Sequence, residues 1–276
     1  MTDPLACISP DDLPGLAQAA WRHGARHCLA CGGYHRVWGV LRAAGLNGGL
    51  ASDEPALAPR IAAALDPGAR VLVAGAADPA LLDLVVRAAA GMPLAITVAD
   101  LCRTPLEVIG QLPPYVGIVV KTLKIDLAEL DHKARWDLIL SHLMLAHVPP
   151  ENRIEVLSRL RRSLAPGGRL VLVARTVRDE VKAGAAGDQA AWTARTLARL
   201  AAAGIPPPGA PSEFQALLER YAAHRTDRLW NLATPEAIAD VLTAGGFEVE
   251  DVARISRANR APDEADDKAR YVFVVR

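Results

Sequence analysis

The chain has 276 residues, enough for one large domain, or a domain with an appendage, around a sizeable core. Its 31 basic and 31 acidic residues balance, which argues against sequence-independent nucleic-acid binding, because that binding depends on neutralising phosphates. No apolar run reaches the roughly 18 residues of a membrane span, and the start lacks the basic and apolar pattern of a secretory signal. We expect a cytoplasmic protein with no membrane partner, and its four cysteines fit a reducing compartment.

Residues 1–65 are predicted to form a helical leader or lid. The stretches LPGLAQAAWRHGARHCLA and YHRVWGVLRAAG place apolar residues three and four positions apart, which is the spacing of one helix face. Glycines then interrupt the pattern, and PALAPRIAAAL resumes it. This part of the chain contains no predicted strand.

Strands and helices alternate from residue 66 onward. Strands are predicted in RVLVAG, LAITVAD, GIVVKTLKID, WDLILSH and GGRLVLVAR, and helices in PALLDLVVRAAA, TPLEVIGQL and PENRIEVLSRLRRSL. Such alternation is typical of a parallel sheet with helices on both faces.

The alternation stops at residue 176. Residues 176–245 are mostly helical, and this stretch of 70 residues (245 − 176 + 1) is too long for a simple connection. GFEVEDVARIS and ARYVFVVR then predict two strands that pair antiparallel at the edge of the sheet. The predicted fold of residues 66–276 is α/β: a doubly wound, mostly parallel, Rossmann-like sheet of seven strands with an antiparallel C-terminal strand and a helical insertion.

The first strand–helix turn is a candidate nucleoside site. Gly75 ends the strand, Ala76 and Ala77 follow, and Asp78 with Pro79 is a good helix start. Asp100 ends the second strand, 22 residues after Asp78, where a carboxylate can accept hydrogen bonds from both ribose hydroxyls. An ordinary capped turn is the alternative, and the joint spacing favours the nucleoside.

The stretches WDLIL and LAPGGRLVLV indicate which nucleoside the candidate site would bind. The region WDLILSHLMLAHVPPENRIEVLSRLRRSLAPGGRLVLVAR resembles the fourth strand, fifth helix and fifth strand of class I S-adenosylmethionine-dependent methyltransferases, and the resemblance covers about residues 66–276. It implies S-adenosylmethionine as the cofactor and methyl transfer as the reaction. The family's acidic residue two positions before the first glycine is Val73 here, and Ala77 replaces a second glycine.

The resemblance also implies the parts of the site. Gly75 and Ala76 would line the methionine part of the cofactor, and Asp100 would hold the ribose. The remaining cofactor contacts would come from the loop and from the ends of strands two to four, at Ala77, Asp78, Leu101 beside the adenine, Asp126 at the adenine amino group, Leu127 by its backbone N–H, and Ser141 near the methyl group. For Asp126, a helix cap is the alternative.

Two histidines follow the fourth strand, where the acceptor should lie. Either His142 or His147 could take a proton from the acceptor, although a histidine that only hydrogen-bonds locally and shapes the pocket is the plainer alternative. Class I leaders often fold over the cofactor, so Tyr34, His35 and Trp38 are further candidates, the first two for catalysis and the third for substrate contact.

The leader also carries a Cys-x-x-Cys pair. Cys28, Cys31 and His35 could begin a zinc site, with His23, His27 or Cys7 as a fourth ligand. No second Cys-x-x-Cys exists, and small apolar filling is an ordinary role for buried cysteine. We therefore predict no metal.

Residues 176–245 are the predicted substrate cap, with Tyr221, His224 and Trp230 as recognition groups. The resulting hypothesis is a methyltransferase that acts on a small-molecule acceptor. A homodimer is the candidate assembly of this protein. The alternative hypothesis is a catalytically inactive S-adenosylmethionine-binding regulatory or partner protein. A nicotinamide-dependent oxidoreductase is disfavoured, because the first loop lacks the pattern G-x-G-x-x-G.

Overall fold

The computed structural model describes most of the chain, namely residues 8–28, 31–46, 50–131, 135–177, 189–206, 208–227, 230–255 and 269–276. Cys7 and parts of the predicted cap, 178–188, 207 and 228–229, lie outside the described residues.

The described elements follow the predicted order. The helices are α1 Leu13–His27, α2 Tyr34–Ala43, α3 Glu54–Ala63, α4 Ala80–Ala88, α5 Arg103–Ile109, α6 Arg153–Ser163, α7 Gln189–Ala202, α8 Pro211–Asp227 and α9 Pro235–Ala244. The strands are β1 Arg70–Ala74, β2 Leu94–Asp100, β3 Ile118–Lys124, β4 Trp136–His142, β5 Leu164–Arg175, β6 Val249–Arg254 and β7 Arg270–Val275. Short 3-10 helices span Pro10–Asp12, Leu127–Glu129, Met144–His147 and Pro150–Asn152.

The seven strands form one sheet in the order β3-β2-β1-β4-β5-β7-β6. Strands β1 to β5 pair in parallel, and β7 runs antiparallel to both β5 and β6. The predicted mostly parallel, Rossmann-like sheet is therefore confirmed. Of the two C-terminal strands, only β6 lies at an edge of the sheet, because β7 inserts between it and β5; β3 forms the opposite edge.

The sheet is covered on both faces, as the continuous apolar strands require. Alternate residues of β1 enter two different cores: Val71 and Val73 pack with α4, whereas Leu72 and Ala74 pack with α6 and α9. All four side chains are fully buried. This double cover leaves the strand ends as the places where polar groups can gather.

The sequence LAPGG makes a bulge at the start of β5. The strand begins at Leu164, and its register with β4 shifts between Trp136 and Leu138. Gly167 has a φ of +77°, and a Cβ on Gly168 would lie 2.9 Å from the carbonyl oxygen of Trp136. Gly167 therefore allows the left-handed turn, and Gly168 allows β5 to approach β4 closely.

The leader packs against the helical insertion. Trp21, Val37 and Leu41 share a buried apolar cluster with Phe214 and Leu218 of α8. Arg36 adds an ion pair of 2.7 Å with Glu213. Within the described residues, no helix has both the length and the apolar character needed to cross a membrane.

Candidate active site

The first loop turns sharply at Gly75. Its φ of +82° lies in the left-handed region, and an added Cβ would lie 3.1 Å from Cγ of Met144. A larger residue would therefore strain the backbone and press against the short helix Met144–His147. The next helix begins at Ala80 with Pro79 at its N-cap, one residue later than predicted, and Asp78 Oδ1 accepts from the N–H of Ala80 at 2.8 Å.

Asp100 joins two loops at the carboxyl end of β2. Its Oδ2 accepts from the N–H of Ala76 at 2.9 Å, and its Oδ1 accepts from the N–H of Cys102 at 2.7 Å. Burial raises the pKa of Asp100, while the neighbouring His35 and the two N–H donors oppose that rise. The carboxylate is held rigidly and keeps acceptor positions, since each oxygen can accept more than one hydrogen bond.

The other oxygen of Asp78 ties the first loop to the leader. Asp78 Oδ2 accepts from Trp38 Nε1 at 2.8 Å and from Arg42 at 3.0 Å. The side chains of Arg42 and Asp78 are each about one-fifth exposed, at 20% and 19%. Asp78 therefore fastens α2 over the loop, a role that the sequence analysis did not foresee.

The remaining predicted cofactor residues lie at strand ends as expected. Asp126 is exposed, and its Oδ1 accepts from Ala128 N–H at 2.9 Å, so it caps the short helix that begins at Leu127. Leu101 is 60% exposed. Ser141 is buried and donates its hydroxyl to the carbonyl of Ala74 at 3.1 Å, which links β4 to β1.

A cluster of rings joins the leader, the end of β4 and the insertion. Tyr34 stacks on Tyr221 of α8 at a centroid distance of 5.3 Å and lies 5.5 Å from His224. Trp38 also stacks on Tyr34, at a centroid distance of 5.9 Å, and His147 contacts Tyr34 edge-on at 5.7 Å. We call Tyr34, Trp38, His147, Tyr221 and His224 the ring cluster; all five are residues that the sequence singled out.

His147 is the last residue of the short helix that follows β4. Its side chain is exposed to solvent, yet protein atoms surround it densely. That dehydrating environment, with the nearby charges of His224 and Arg175, lowers the pKa of His147 to about 4. The imidazole is therefore neutral near pH 7 and can accept a hydrogen bond or a proton.

His142 faces a different partner. Its Nε2 lies 2.7 Å from Oδ2 of Asp53, a leader residue that is fully buried. Arg270 of β7 donates to the same carboxylate at 2.6 Å. Burial raises the pKa of Asp53, but His142 and Arg270 together lower it further, so the carboxyl is ionised. The buried carboxylate of Asp53 thus holds His142 outside the ring cluster.

Trp230 is placed by its backbone. Its N–H donates to the carbonyl of Ala146 at 2.8 Å, and its own carbonyl accepts from Arg153. The segment that follows α8 is thereby fixed beside the short helix that carries His147.

His35 turns toward sulfur atoms. Its Nδ1 lies 3.6 Å from Sγ of Cys28 and 3.6 Å from Sγ of Cys31.

Four described residues belong to the candidate site but were not predicted from the sequence: Met144, Asp53, Arg270 and Cys102. The sequence around Asp53 and Arg270 contains no motif that would have identified them. Cys102 could have been identified, because it follows a strand end, where ligand-binding residues concentrate.

Comparison with known proteins agrees with this architecture. Residues 81–172 match the family model of a methyltransferase domain. A search of curated proteins found no match.

Several solved structures share the fold at low sequence identity. The 1,6-didemethyltoxoflavin N1-methyltransferase of Burkholderia thailandensis, solved with 1,6-didemethyltoxoflavin and S-adenosylhomocysteine, is 19% identical with a TM-score of 0.56, covering 98% of this chain and 90% of that one. A mycolic acid cyclopropane synthase solved with S-adenosylhomocysteine is 14% identical with a TM-score of 0.53, covering 80% of this chain and 83% of that one. The pyocyanin biosynthetic protein PhzM is 16% identical with a TM-score of 0.51, covering 87% of this chain and 57% of that one.

The domain match falls on α4 to β5, the region that contains WDLIL and most of LAPGGRLVLV. The sheet order and the antiparallel β7 complete the same fold outside that region. The resemblance to class I S-adenosylmethionine-dependent methyltransferases is therefore confirmed, both in the methyltransferase domain of residues 81–172 and in the Rossmann-like fold of the chain.

Proposed function

We propose that the protein transfers a methyl group from S-adenosylmethionine to a small-molecule acceptor held against the ring cluster. One observation carries this proposal: Tyr34 of the leader packs against His147 after β4 and against Tyr221 of α8. Leader, sheet end and insertion thus meet at one place, beside the strand end that holds Asp100.

The residues at the carboxyl end of β2 fit the adenosine part of the cofactor. Both oxygens of Asp100 are fixed by backbone N–H donors and retain acceptor capacity for two ribose hydroxyls. The family's acidic contact to the amino group of the cofactor is absent here, because its position is occupied by Val73, a fully buried core residue. Backbone carbonyls of the loop would have to accept from that amino group.

The bound cofactor supplies an electrophilic methyl carbon. The protein then has to hold the acceptor atom about 3 Å from that carbon and in line with the breaking bond. Tyr221 is buried at the base of the cluster, whereas Tyr34, Trp38 and His147 are partly or fully accessible, and their rings favour a planar or aromatic acceptor. The leader, tied down by the contact between Trp38 and Asp78, would keep water away from the reacting atoms.

His147 is the proposed proton acceptor when the acceptor atom carries a proton. Its depressed pKa keeps it neutral near pH 7, and it stacks with His224 at 5.7 Å, which provides a second imidazole in the same wall. His142 and His35 are less suited, because a ring nitrogen of each already faces Asp53 or cysteine sulfur.

Turnover with a panel of planar acceptors separates this proposal from a cofactor-binding protein without activity. Phenols, aromatic amines and N-heterocycles, including 1,6-didemethyltoxoflavin, would be incubated with S-adenosylmethionine, and S-adenosylhomocysteine formation would be followed by mass spectrometry. We expect at least one acceptor class to give product that is lost in the Tyr34→Ala variant, while Val116→Ala, an exposed surface change, retains it. Tight cofactor binding without product from any class would favour the regulatory alternative.

A further inference from the structure

Four metal-ligating side chains converge where the leader meets the end of β2. The Sγ atoms of Cys28, Cys31 and Cys102 and a ring nitrogen of His35 all lie within 4.8 Å of one another. We propose that they form a closed Cys3His zinc site that locks the leader to the cofactor-binding end of the sheet.

Three of the six distances between ligand atoms match a tetrahedral zinc site, and all six are within 4.8 Å. With Zn–S distances of about 2.3 Å and a Zn–N distance of about 2.0 Å, two sulfur ligands lie about 3.8 Å apart, and a sulfur and a nitrogen about 3.5 Å apart. The structure has 3.7 Å between Cys28 Sγ and Cys102 Sγ, and 3.6 Å from His35 Nδ1 to each of Cys28 Sγ and Cys31 Sγ. Pairwise thiol hydrogen bonds do not require this common centre, whereas a tetrahedral ion does.

The backbone presents the leader ligands from a tight turn. Cys28 ends α1, and its carbonyl accepts from Gly33 N–H at 3.0 Å; the carbonyl of Cys31 accepts from Tyr34 N–H at 3.1 Å. Gly33 has a φ of +87°, which suits glycine and sends the chain into α2, so that His35 faces back toward the cysteines. The spacing Cys-x2-Cys-x3-His is typical of zinc ligands.

The fourth ligand comes from the sheet. Cys102 stands immediately before α5 and is 67 residues beyond His35 (102 − 35). The prediction of no metal depended on the absence of a second Cys-x-x-Cys and on the ordinary role of buried cysteine as a small apolar filler, whereas the fold brings Cys102 to the leader cysteines as a further thiol. The sequence candidates for this place were His23, His27 and Cys7, and the last lies outside the described residues.

The surroundings suit a structural ion rather than a catalytic one. Cys28, His35 and Cys102 are 5%, 6% and 8% exposed, and all four positions are filled by protein. The hydroxyl of Thr104 lies 3.1 Å from Cys28 Sγ and 3.4 Å from Cys102 Sγ, where it can donate to thiolates. Three thiolates and an imidazole in tetrahedral array select zinc over harder cations.

The site would position two parts of the proposed active site, and this consequence rests on the proposed function. The backbone N–H of Cys102 donates to the carboxylate of Asp100, which is proposed to bind the ribose. Tyr34, at the centre of the ring cluster, directly precedes His35. An ion at this point would hold the carboxylate and the lid tyrosine in fixed relation.

Metal analysis of the full chain tests the zinc site without any cofactor. Protein purified under reducing conditions from zinc-supplemented cells should contain about one zinc per chain, and cobalt(II) added to the chelator-treated protein should give a tetrahedral spectrum with thiolate charge-transfer bands. Well under one equivalent of zinc, together with no such spectrum, would overturn the site. Peptide mapping that finds a disulfide between Cys28 and Cys102 in this protein would also overturn it.

Matched variants identify the ligands. Cys31→Ser and Cys102→Ser should each lower the bound zinc at least roughly tenfold after dialysis, whereas His23→Gln and Cys7→Ser should keep it. Cys31 is only partly buried, so its variant tests the site even where the Cys102 variant fails to fold. Zinc lost on Cys7→Ser and retained on Cys31→Ser would assign the ion elsewhere.

Cofactor binding tests the positioning role separately. Removing zinc from the wild-type protein should weaken S-adenosylmethionine binding at least about tenfold, since Asp100 would lose its anchor. Unchanged affinity would refute the positioning role. Stoichiometric zinc with no cofactor binding at all would instead refute the proposed function and leave the metal site standing.

Discussion

Each end of the sheet carries an Arg–Asp ion pair, which is exposed to solvent at one end and buried at the other. At the amino end, Arg70 of β1 pairs with Asp137 of β4 at 2.9 Å, and the two side chains are 47% and 37% exposed. At the carboxyl end, Arg270 pairs with Asp53 at 2.6 Å, with the two side chains 14% and 0% exposed. Solvated pairs contribute little, whereas breaking a buried pair is costly. The contrast shows that the leader residue Asp53 closes the carboxyl end of the sheet, which is the end at which we propose that the cofactor binds.

The largest expected effect is on stability. Asp53→Ala should lower the free energy of unfolding by about 3–5 kcal/mol, because it leaves Arg270 buried beside a cavity without its carboxylate. Asp137→Ala should cost at most about 1 kcal/mol, since Arg70 remains hydrated. Urea unfolding of the two variants measures both values. Equal losses would contradict the contrast between the two sheet ends.

A smaller effect is expected in the ring cluster. Tyr221→Leu and His224→Ala each remove ring contacts with Tyr34, and such contacts are worth about 0.5–1.5 kcal/mol. Acceptor kcat/KM should fall roughly 2–10-fold while the Kd for S-adenosylmethionine stays within about twofold. Isothermal titration beside steady-state kinetics separates these quantities. Equal losses in both would place the acceptor elsewhere.

The smallest expected effect is a pH dependence at His147. Its pKa falls from 6.5 to about 4 on folding, so between those values the unfolded chain binds more protons than the folded one. The contribution of neutral His147 to stability is therefore fully present above pH 6.5 and is lost as the pH falls toward 4. His147→Gln should flatten the stability profile across that window in unfolding experiments. An unchanged profile would mean that the ring titrates normally.

Most of the fold was readable from the sequence because it depends on local patterns. Strand–helix alternation and the glycine pair before Arg169 predicted the sheet, and the spacing of Asp78 and Asp100 indicated the end at which we propose that the cofactor binds. The sequence predicted β6 and β7 as an antiparallel pair at the sheet edge but did not order them, although the mostly exposed VEDVAR of β6 and the more apolar, more buried RYVFVV of β7 differ as an edge strand and its inserted neighbour do. Strand order among such neighbours is set by long-range packing.

The site was predicted where each residue carries its own signal. Aromatic residues and histidines stood out in the leader and in the insertion, and the structure brings five of them together in the ring cluster. Asp53, Arg270 and Cys102 were missed because each acts through a partner distant in the chain. Asp53 in particular reads as the start of a helix, and only folding reveals that its carboxylate faces His142.

Calorimetry with S-adenosylmethionine tests the central claim most directly. The wild-type chain should bind it in the micromolar range, on the order of −8 kcal/mol, and should not bind NAD. Asp100→Ala should lose about 1–3 kcal/mol of that affinity, while Asp137→Ala, at the opposite end of the sheet, should match the wild type. Binding of NAD but not of S-adenosylmethionine, or equal affinity in both variants, would contradict a cofactor site at the carboxyl end of β2.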